Sequence, residues 1–105
     1  MSNSLPPNFF ESLTQKQEAL LTVLVDSNTE YTSGEKIREQ TRNEYEFDVP
    51  DHPGATAGVV AGFTNRYSKQ FSVNLVPARG VEGKKGHYEF KLGETYTDEI
   101  RDRLG

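Results

Sequence analysis

The hydrophobic pattern of the chain is clearest between residues 54 and 71, where apolar side chains recur every three or four positions. This spacing is typical of an amphipathic helix that buries one face. We therefore predict a helix over residues 55–69, with its apolar stripe turned towards the core. The stripe consists of Thr56, Val60, Phe63 and Tyr67, with Val59 at its edge.

The opposite face of this predicted third helix carries small residues at one end and cationic residues at the other. A helix normally avoids glycine, because each costs about 1 kcal/mol relative to alanine. Two glycines four residues apart therefore indicate that another surface comes close. That surface is either a DNA groove or a second helix, from within the fold or from another subunit. The residues of this face are Gly58, Ala61, Gly62, Asn65, Arg66 and Lys69.

The N-terminal part of the chain predicts an arm followed by a helix. Residues 1–11 hold two prolines and several small polar residues, which favour an extended arm, and two phenylalanines that can dock on the core. A single domain is expected over residues 12–105. Its first helix has a broad apolar face and ends near residue 26. Thr14 and Gln17 match a capping box at its start.

The middle of the chain predicts a short strand, a second helix and a long loop. Residues 30–32 are expected to form the strand. Thr32 and Glu35 match a second capping box, which opens a helix over residues 34–42. Residues 43–54 are acidic and contain two prolines, which disfavour a helix at the residue before each. This loop is either simply solvated or docks a basic partner.

From residue 71 the apolar period changes to two, which is typical of strands. Two antiparallel strands are therefore expected, joined by a tip over residues 79–86. Residues 98–104, with Thr97 as the cap, predict a short C-terminal helix. The alternating side chains are Phe71, Val73 and Leu75 in one strand and Tyr88, Phe90 and Leu92 in the other.

The predicted tip is rich in glycine and carries Arg79, Lys84 and Lys85. Cations in such a hairpin would neutralise DNA phosphates and give affinity that does not depend on base sequence. Lysines also guard strand edges against aggregation, so an ordinary solvated hairpin end is the alternative. On the third helix, Asn65 has the chemistry to pair with adenine, and Arg66 can contact guanine or phosphate.

Charge is unevenly distributed along the 105 residues. The net charge is -4 and the pI is near 5.1, well below the value of about 9 that usually marks a nucleic-acid-binding domain. Residues 55–91 are nevertheless net positive. Phosphate contacts act within about a Debye length, roughly 8–10 Å. DNA binding therefore needs a local basic face rather than a positive total charge.

Composition also narrows the location and the chemistry. The chain has no cysteine, which excludes disulfides and thiolate metal sites, and no secretory pattern at its start, so we expect a cytoplasmic protein. No apolar run approaches the roughly 20 residues that span a bilayer. His52 and His87 lack ligand-like spacing, and no serine has a nucleophile context. We expect no membrane insertion, metal, cofactor or catalytic residue.

The order of these elements is similar to that of the winged helix-turn-helix DNA-binding domain, including small bacterial winged-helix proteins of unassigned function. The resemblance implies an α+β fold with a three-helix core, a two-stranded β-hairpin wing and a short C-terminal helix. It implies that the third helix enters the major groove of double-stranded DNA and that the wing lies on the backbone. We therefore expect a small transcriptional regulator, and a protein-interaction module on the same fold is the alternative. A homodimer is expected from scale alone, because one such domain offers a small DNA interface.

The resemblance also assigns the DNA-binding residues. One segment departs from the family layout, since residues 43–54 exceed the short turn that usually joins the second and third helices. The residues carried over from the recognition helix and the wing are Gly58, Ala61, Gly62, Asn65, Arg66, Lys69, Arg79, Lys84 and Lys85.

Overall fold

The computed structural model describes residues 5–26, 30–44, 53–84 and 87–104. Over these residues the chain is α+β, as expected, with five α-helices and a three-stranded antiparallel sheet. The helices are α1 (Gln15–Asp26), α2 (Gly34–Glu44), α3 (Pro53–Arg66), α4 (Lys69–Leu75) and α5 (Thr97–Leu104). The strands are β1 (Thr32–Ser33), β2 (Ala78–Gly80) and β3 (Tyr88–Phe90).

Helix α1 begins at the predicted capping box. The amide of Thr14 donates to Oε1 of Gln17 at 3.0 Å, and the amide of Gln17 donates to Oγ1 of Thr14 at 3.1 Å. These bonds satisfy two amides at the start of the helix, where intrahelical acceptors are missing. The capping prediction is therefore confirmed. The buried apolar residues of α1 are Ala19, Leu20, Leu21, Val23 and Leu24.

Helix α2 lies where it was predicted, but its cap is different. The amide of Lys36 donates to Oγ of Ser33 at 3.2 Å. Thr32 pairs with Phe90 in the sheet and is buried. The prediction of Thr32 as the cap was wrong, because strand pairing places the next hydroxyl at the helix start.

The sheet has three strands, so the prediction of a two-stranded hairpin was incomplete. The strand order is β1-β3-β2, with both pairs antiparallel. Ser33 and Arg79 both lie opposite Glu89, on either side of the central strand. Arg79 and Gly80 belong to β2, and the tip therefore begins at Val81 instead of residue 79.

The prediction of a strand through residues 71–75 was wrong, since these residues form α4. Ser68 caps the helix by accepting a hydrogen bond from the amide of Phe71 at 3.0 Å. Ser72 and Leu75 are buried, whereas Val73 is 51% exposed. The buried positions in this segment therefore follow the spacing of a helix and not the period of two expected for a strand. The third helix accordingly ends at Arg66, and Lys69 opens α4.

The predicted face of α3 is confirmed. Thr56 and Phe63 are buried, and Val59, Val60 and Tyr67 pack partly buried beside the core. Phe9 of the N-terminal segment is buried as well, with its ring centroid 6.1 Å from that of Phe63. The N-terminal segment thus docks on the buried face of α3 through an aromatic contact.

Helix α5 closes the core beside α1. Ile100 is fully buried, and Leu104 packs at the edge of the core. Thr97 lies within the first turn, where its hydroxyl donates to the carbonyl of Gly93 at 2.6 Å. The helix was therefore predicted correctly, whereas Thr97 does not act as its cap.

Most of the acidic loop prediction lies outside the described residues. α2 ends at Glu44 and α3 begins at Pro53, which leaves residues 45–52 between the two helices. His52 also falls in this interval. None of the helices in the described part of the chain is long and apolar enough to cross a membrane.

Candidate nucleic-acid interface

The outer face of α3 carries small side chains and ends in a cation. Gly58, Ala61, Asn65 and Arg66 are all exposed. A Cβ added to Gly58 would meet no described atom within 4 Å outside the backbone of its own helix. Contacts within the described fold therefore give no reason for glycine at position 58.

Gly62 lies elsewhere on the helix and has a structural reason to be small. A Cβ at this position would stand 2.8 Å from Nε2 of Gln17. Its placement on the exposed face was wrong, because the capping side chain of α1 lies against it. Of the two glycines that suggested a close approach, only Gly58 faces open space within the described structure.

The two ends of α3 have different neighbours. Near its start, Thr56 accepts a hydrogen bond at Oγ1 from Nη1 of Arg38 at 3.0 Å. A Cβ on Gly34 would stand 3.4 Å from Thr56 Oγ1 and 3.5 Å from the ring of Phe90. This end therefore lies beside β3 and the start of α2. Arg66 is at the other end of α3, about 15 Å along the axis from Thr56 at about 1.5 Å per residue.

Arg79 makes contacts within the sheet. Its guanidinium lies 3.8 Å from the ring centroid of Tyr31 and forms an ion pair with Glu89. Nζ of Lys91 lies 5.0 Å from the same ring. These side chains form a charged cluster on the outer face of the sheet, which we call the Tyr31 cluster. Arg79 thus lies within β2 and not at the hairpin tip, and its side chain is 58% exposed.

The tip of the β2–β3 hairpin is built by a hydrogen-bonded turn. The amide of Lys84 donates to the carbonyl of Val81 at 3.1 Å, and Gly83 has a φ of 80°. A positive φ at the third position is the requirement of a type II turn, which glycine meets without strain. Lys84 is therefore exposed at a defined place. Lys85 lies outside the described residues.

The predicted binding residues thus fall into two groups. Gly58, Ala61, Asn65 and Arg66 share the outer side of α3, whose C-terminal end leads to Lys69 at the start of α4. Lys84 lies on the hairpin and lines a cavity together with Arg38, whose guanidinium donates to Thr56 near the start of α3. Outside these two groups, Gly62 lies against Gln17, and Arg79 pairs with Glu89 in the sheet.

Sequence reasoning missed the buried contact between Arg38 and Thr56. Arg38 is only 4% exposed, although arginine is seldom fully buried without a partner. Nothing in the helical pattern distinguishes Arg38 from an exposed cation, and Thr56 was placed in the core only by its spacing. The contact orients α3 relative to α2, since it joins both helices near their starts.

Comparisons with models of protein families, with curated proteins and with solved structures find no match for this chain.

Proposed function

We propose that this chain is a DNA-binding protein of the winged-helix type, a small transcriptional regulator that reads DNA with α3. In this proposal the outer face of α3 enters the major groove, and the β2–β3 hairpin lies on the backbone. The observation that carries the proposal is the exposed face at Gly58, Ala61 and Asn65, which is followed by the exposed cations Arg66 and Lys69.

The dimensions of this surface support the proposal. The major groove is about 12 Å wide and admits a helix. Thr56 and Arg66 are separated by about 15 Å along α3, and Lys84 shares a cavity with Arg38, which donates to Thr56. Arg66 and Lys69 would contact phosphates on one side of the groove and Lys84 on the other. Asn65, between them, has the donor and acceptor for adenine.

The order of the helices and strands also supports the proposal of a winged-helix domain. β1 lies between α1 and α2, and the β2–β3 hairpin follows the helices, with β1 paired to the central strand β3. Two features depart from a simple winged helix: the eight positions 45–52 between α2 and α3, and the extra helix α4. A homodimer is part of the proposal, because a single domain offers a small DNA interface. A dimer that binds two half-sites doubles that interface.

Fluorescence anisotropy of a labelled random duplex at two salt concentrations tests the proposal. We expect binding that weakens steeply with salt, because each neutralised phosphate releases counterions. Arg66→Ala should weaken binding. Arg103→Ala is the matched control, since Arg103 is an exposed cation on α5 whose guanidinium lies over the ring of Phe10. Equal losses for the two variants would mean that only the overall charge matters, and absence of binding at low salt would exclude DNA.

A protein-interaction module is the second candidate. Ala57, Gly58 and Ala61 are exposed and uncharged, and a face of small residues allows another helix to approach closely. The acidic total charge also suits a surface that does not bind DNA. A partner recovered with the wild-type protein and lost with a bulky residue at Gly58, together with no DNA binding, would favour this candidate.

A further inference from the structure

The N-terminal segment, residues 5–13, reaches the corner between α3 and α4. The ring of Phe9 is buried, and its centroid lies 6.0 Å from that of Tyr67, which follows α3, and 6.0 Å from that of Phe71 in α4. The centroids of the Tyr67 and Phe71 rings are 4.7 Å apart. Aromatic pairs at these distances attract one another beyond the effect of burial alone. The segment therefore packs against both sides of the corner.

This corner carries the two cations of the proposed DNA interface. Arg66 ends α3 and Lys69 begins α4, and both are exposed. The guanidinium of Arg66 lies 5.8 Å from the centroid of the Tyr67 ring. A guanidinium within about 6 Å of an aromatic centroid is attracted to the face of the ring. The position of the Tyr67 ring therefore influences where the guanidinium of Arg66 lies.

A hydrogen bond from the N-terminal segment holds Tyr67. The hydroxyl oxygens of Ser12 and Tyr67 are 3.2 Å apart. The hydroxyl of Ser12 donates its one hydrogen to the carbonyl of Phe9 at 3.0 Å, so Tyr67 is the donor between the two hydroxyls. Ser12 ends a short 3₁₀-helix, Phe10–Ser12, and its amide donates to the carbonyl of Asn8 at 3.1 Å. The acceptor for Tyr67 is thus held in place by the backbone of the segment.

We propose that the N-terminal segment positions the guanidinium of Arg66 for contact with DNA, acting through Tyr67. Phe9 and Ser12 are positioning residues, because they hold the ring over which the guanidinium lies. An exposed arginine loses side-chain freedom when it binds a phosphate, which opposes binding. A guanidinium that is already held in the free protein loses less. The effect on DNA binding rests on the proposed function, whereas the link from Ser12 to Arg66 belongs to the free protein.

Proton NMR of the full chain tests this link without DNA. The ring current of Tyr67 should shift the side-chain protons of Arg66 away from their values in an unfolded peptide. Ser12→Ala removes the acceptor of the hydrogen bond, and Tyr67→Phe removes the donor while keeping the ring. Each variant should move the Arg66 shifts towards the unfolded values. The double variant should move them no further, because both changes remove the same hydrogen bond.

Thr22→Val is the matched control, since it also removes one hydroxyl. The hydroxyl of Thr22 donates to the carbonyl of Glu18 at 2.8 Å within α1. The Arg66 shifts of this variant should equal those of the wild type, and dispersed amide spectra will show that each variant is folded. Arg66 shifts that do not respond to Ser12→Ala, or that respond equally to Thr22→Val, would overturn the proposal.

Duplex anisotropy measures the consequence for DNA binding. Ser12→Ala should weaken binding about two- to fivefold, the factor that corresponds to one cation–π contact at an exposed site. In an Arg66→Ala background, Ser12→Ala should have no further effect, because the side chain that it positions is absent. If Ser12 only stabilised the fold, its replacement would weaken binding by the same factor in both backgrounds, and that result would overturn the proposal.

The two measurements distinguish this proposal from the proposed function. A duplex that binds the wild type, with Arg66 shifts that do not respond to Ser12→Ala, would refute the positioning role and leave DNA binding standing. Absence of binding at low salt would exclude DNA. Arg66 shifts that still respond to Ser12→Ala in that case would support the link from the N-terminal segment to Arg66.

Discussion

Replacing Gly58 with alanine has separate expected effects on the stability of α3 and on the binding of its outer face to DNA or a partner helix. Gly58 lies in the interior of α3 and is exposed, and an added Cβ meets no described atom within 4 Å outside its own helix backbone. The replacement therefore gains helix propensity, about 1 kcal/mol, without a steric cost. For a domain of this size, that gain corresponds to a rise in Tm of about 4–8 °C.

Gly62→Ala is the internal comparison, since it makes the same chemical change in the same helix. Here the new methyl group would stand 2.8 Å from Nε2 of Gln17 and force that side chain to move. Gln17 also accepts the capping hydrogen bond from Thr14. Loss of a cap costs about 0.5–2 kcal/mol, which offsets the gain of about 1 kcal/mol in propensity. We expect the free energy of unfolding of this variant to stay within about 1 kcal/mol of wild type.

Urea denaturation followed by circular dichroism measures both changes, and duplex anisotropy on the same samples measures binding. If a groove or a partner helix approaches α3 at Gly58, the alanine variant will be more stable and bind more weakly. Greater stability with unchanged binding would remove Gly58 from the interface. A loss of stability in Gly58→Ala would show that the reasoning about an open outer face is wrong.

The other predictions concern the core, a close backbone contact and the hairpin. Phe63→Ala should cost about 3–5 kcal/mol in urea denaturation, because the ring is fully buried, and a cost below about 1 kcal/mol would contradict that burial. Gly93→Ala should cost about 1–3 kcal/mol or more, because a Cβ would collide with the carbonyl oxygen of Asn74; an unchanged Tm would refute this. Replacing Lys84 and Lys85 together by alanine should weaken DNA binding equally on all sequences, lower the salt slope and change stability by a few tenths of a kcal/mol. Unchanged anisotropy would remove the hairpin from the interface.

Local signals account for the parts of the fold that sequence predicted correctly. The capping box of α1 needs only Thr14 and Gln17, three residues apart, and the buried face of α3 follows from the helical spacing of its apolar residues. Both depend on interactions within a few residues. The local structure that such a pattern predicts is kept in the fold when, as here, the tertiary contacts favour the same conformation.

The errors arise where a short pattern fits two structures or where the contact is distant. Phe71 and Leu75 satisfy a period of two and also lie one helical turn apart, and the cap from Ser68 favours the helix. The pairing of β1 with β3 joins residues more than fifty positions apart, which no local pattern reports. For the same reason, the contact of Gly62 with Gln17 could not be foreseen, and the glycine was assigned to a binding surface.

The docking of Phe9 has a consequence for the order in which the protein folds. Its ring packs against those of Phe63, Tyr67 and Phe71, and the amide of Leu5 donates to the carboxylate of Glu99. Contacts so distant in sequence require closure of long loops and slow the folding of a chain. During synthesis, the segment around Phe9 leaves the ribosome before α3 and α4, yet its docking site is complete only after both helices have emerged. This segment is thus made before its docking site and is among the last parts of the domain to reach its final contacts.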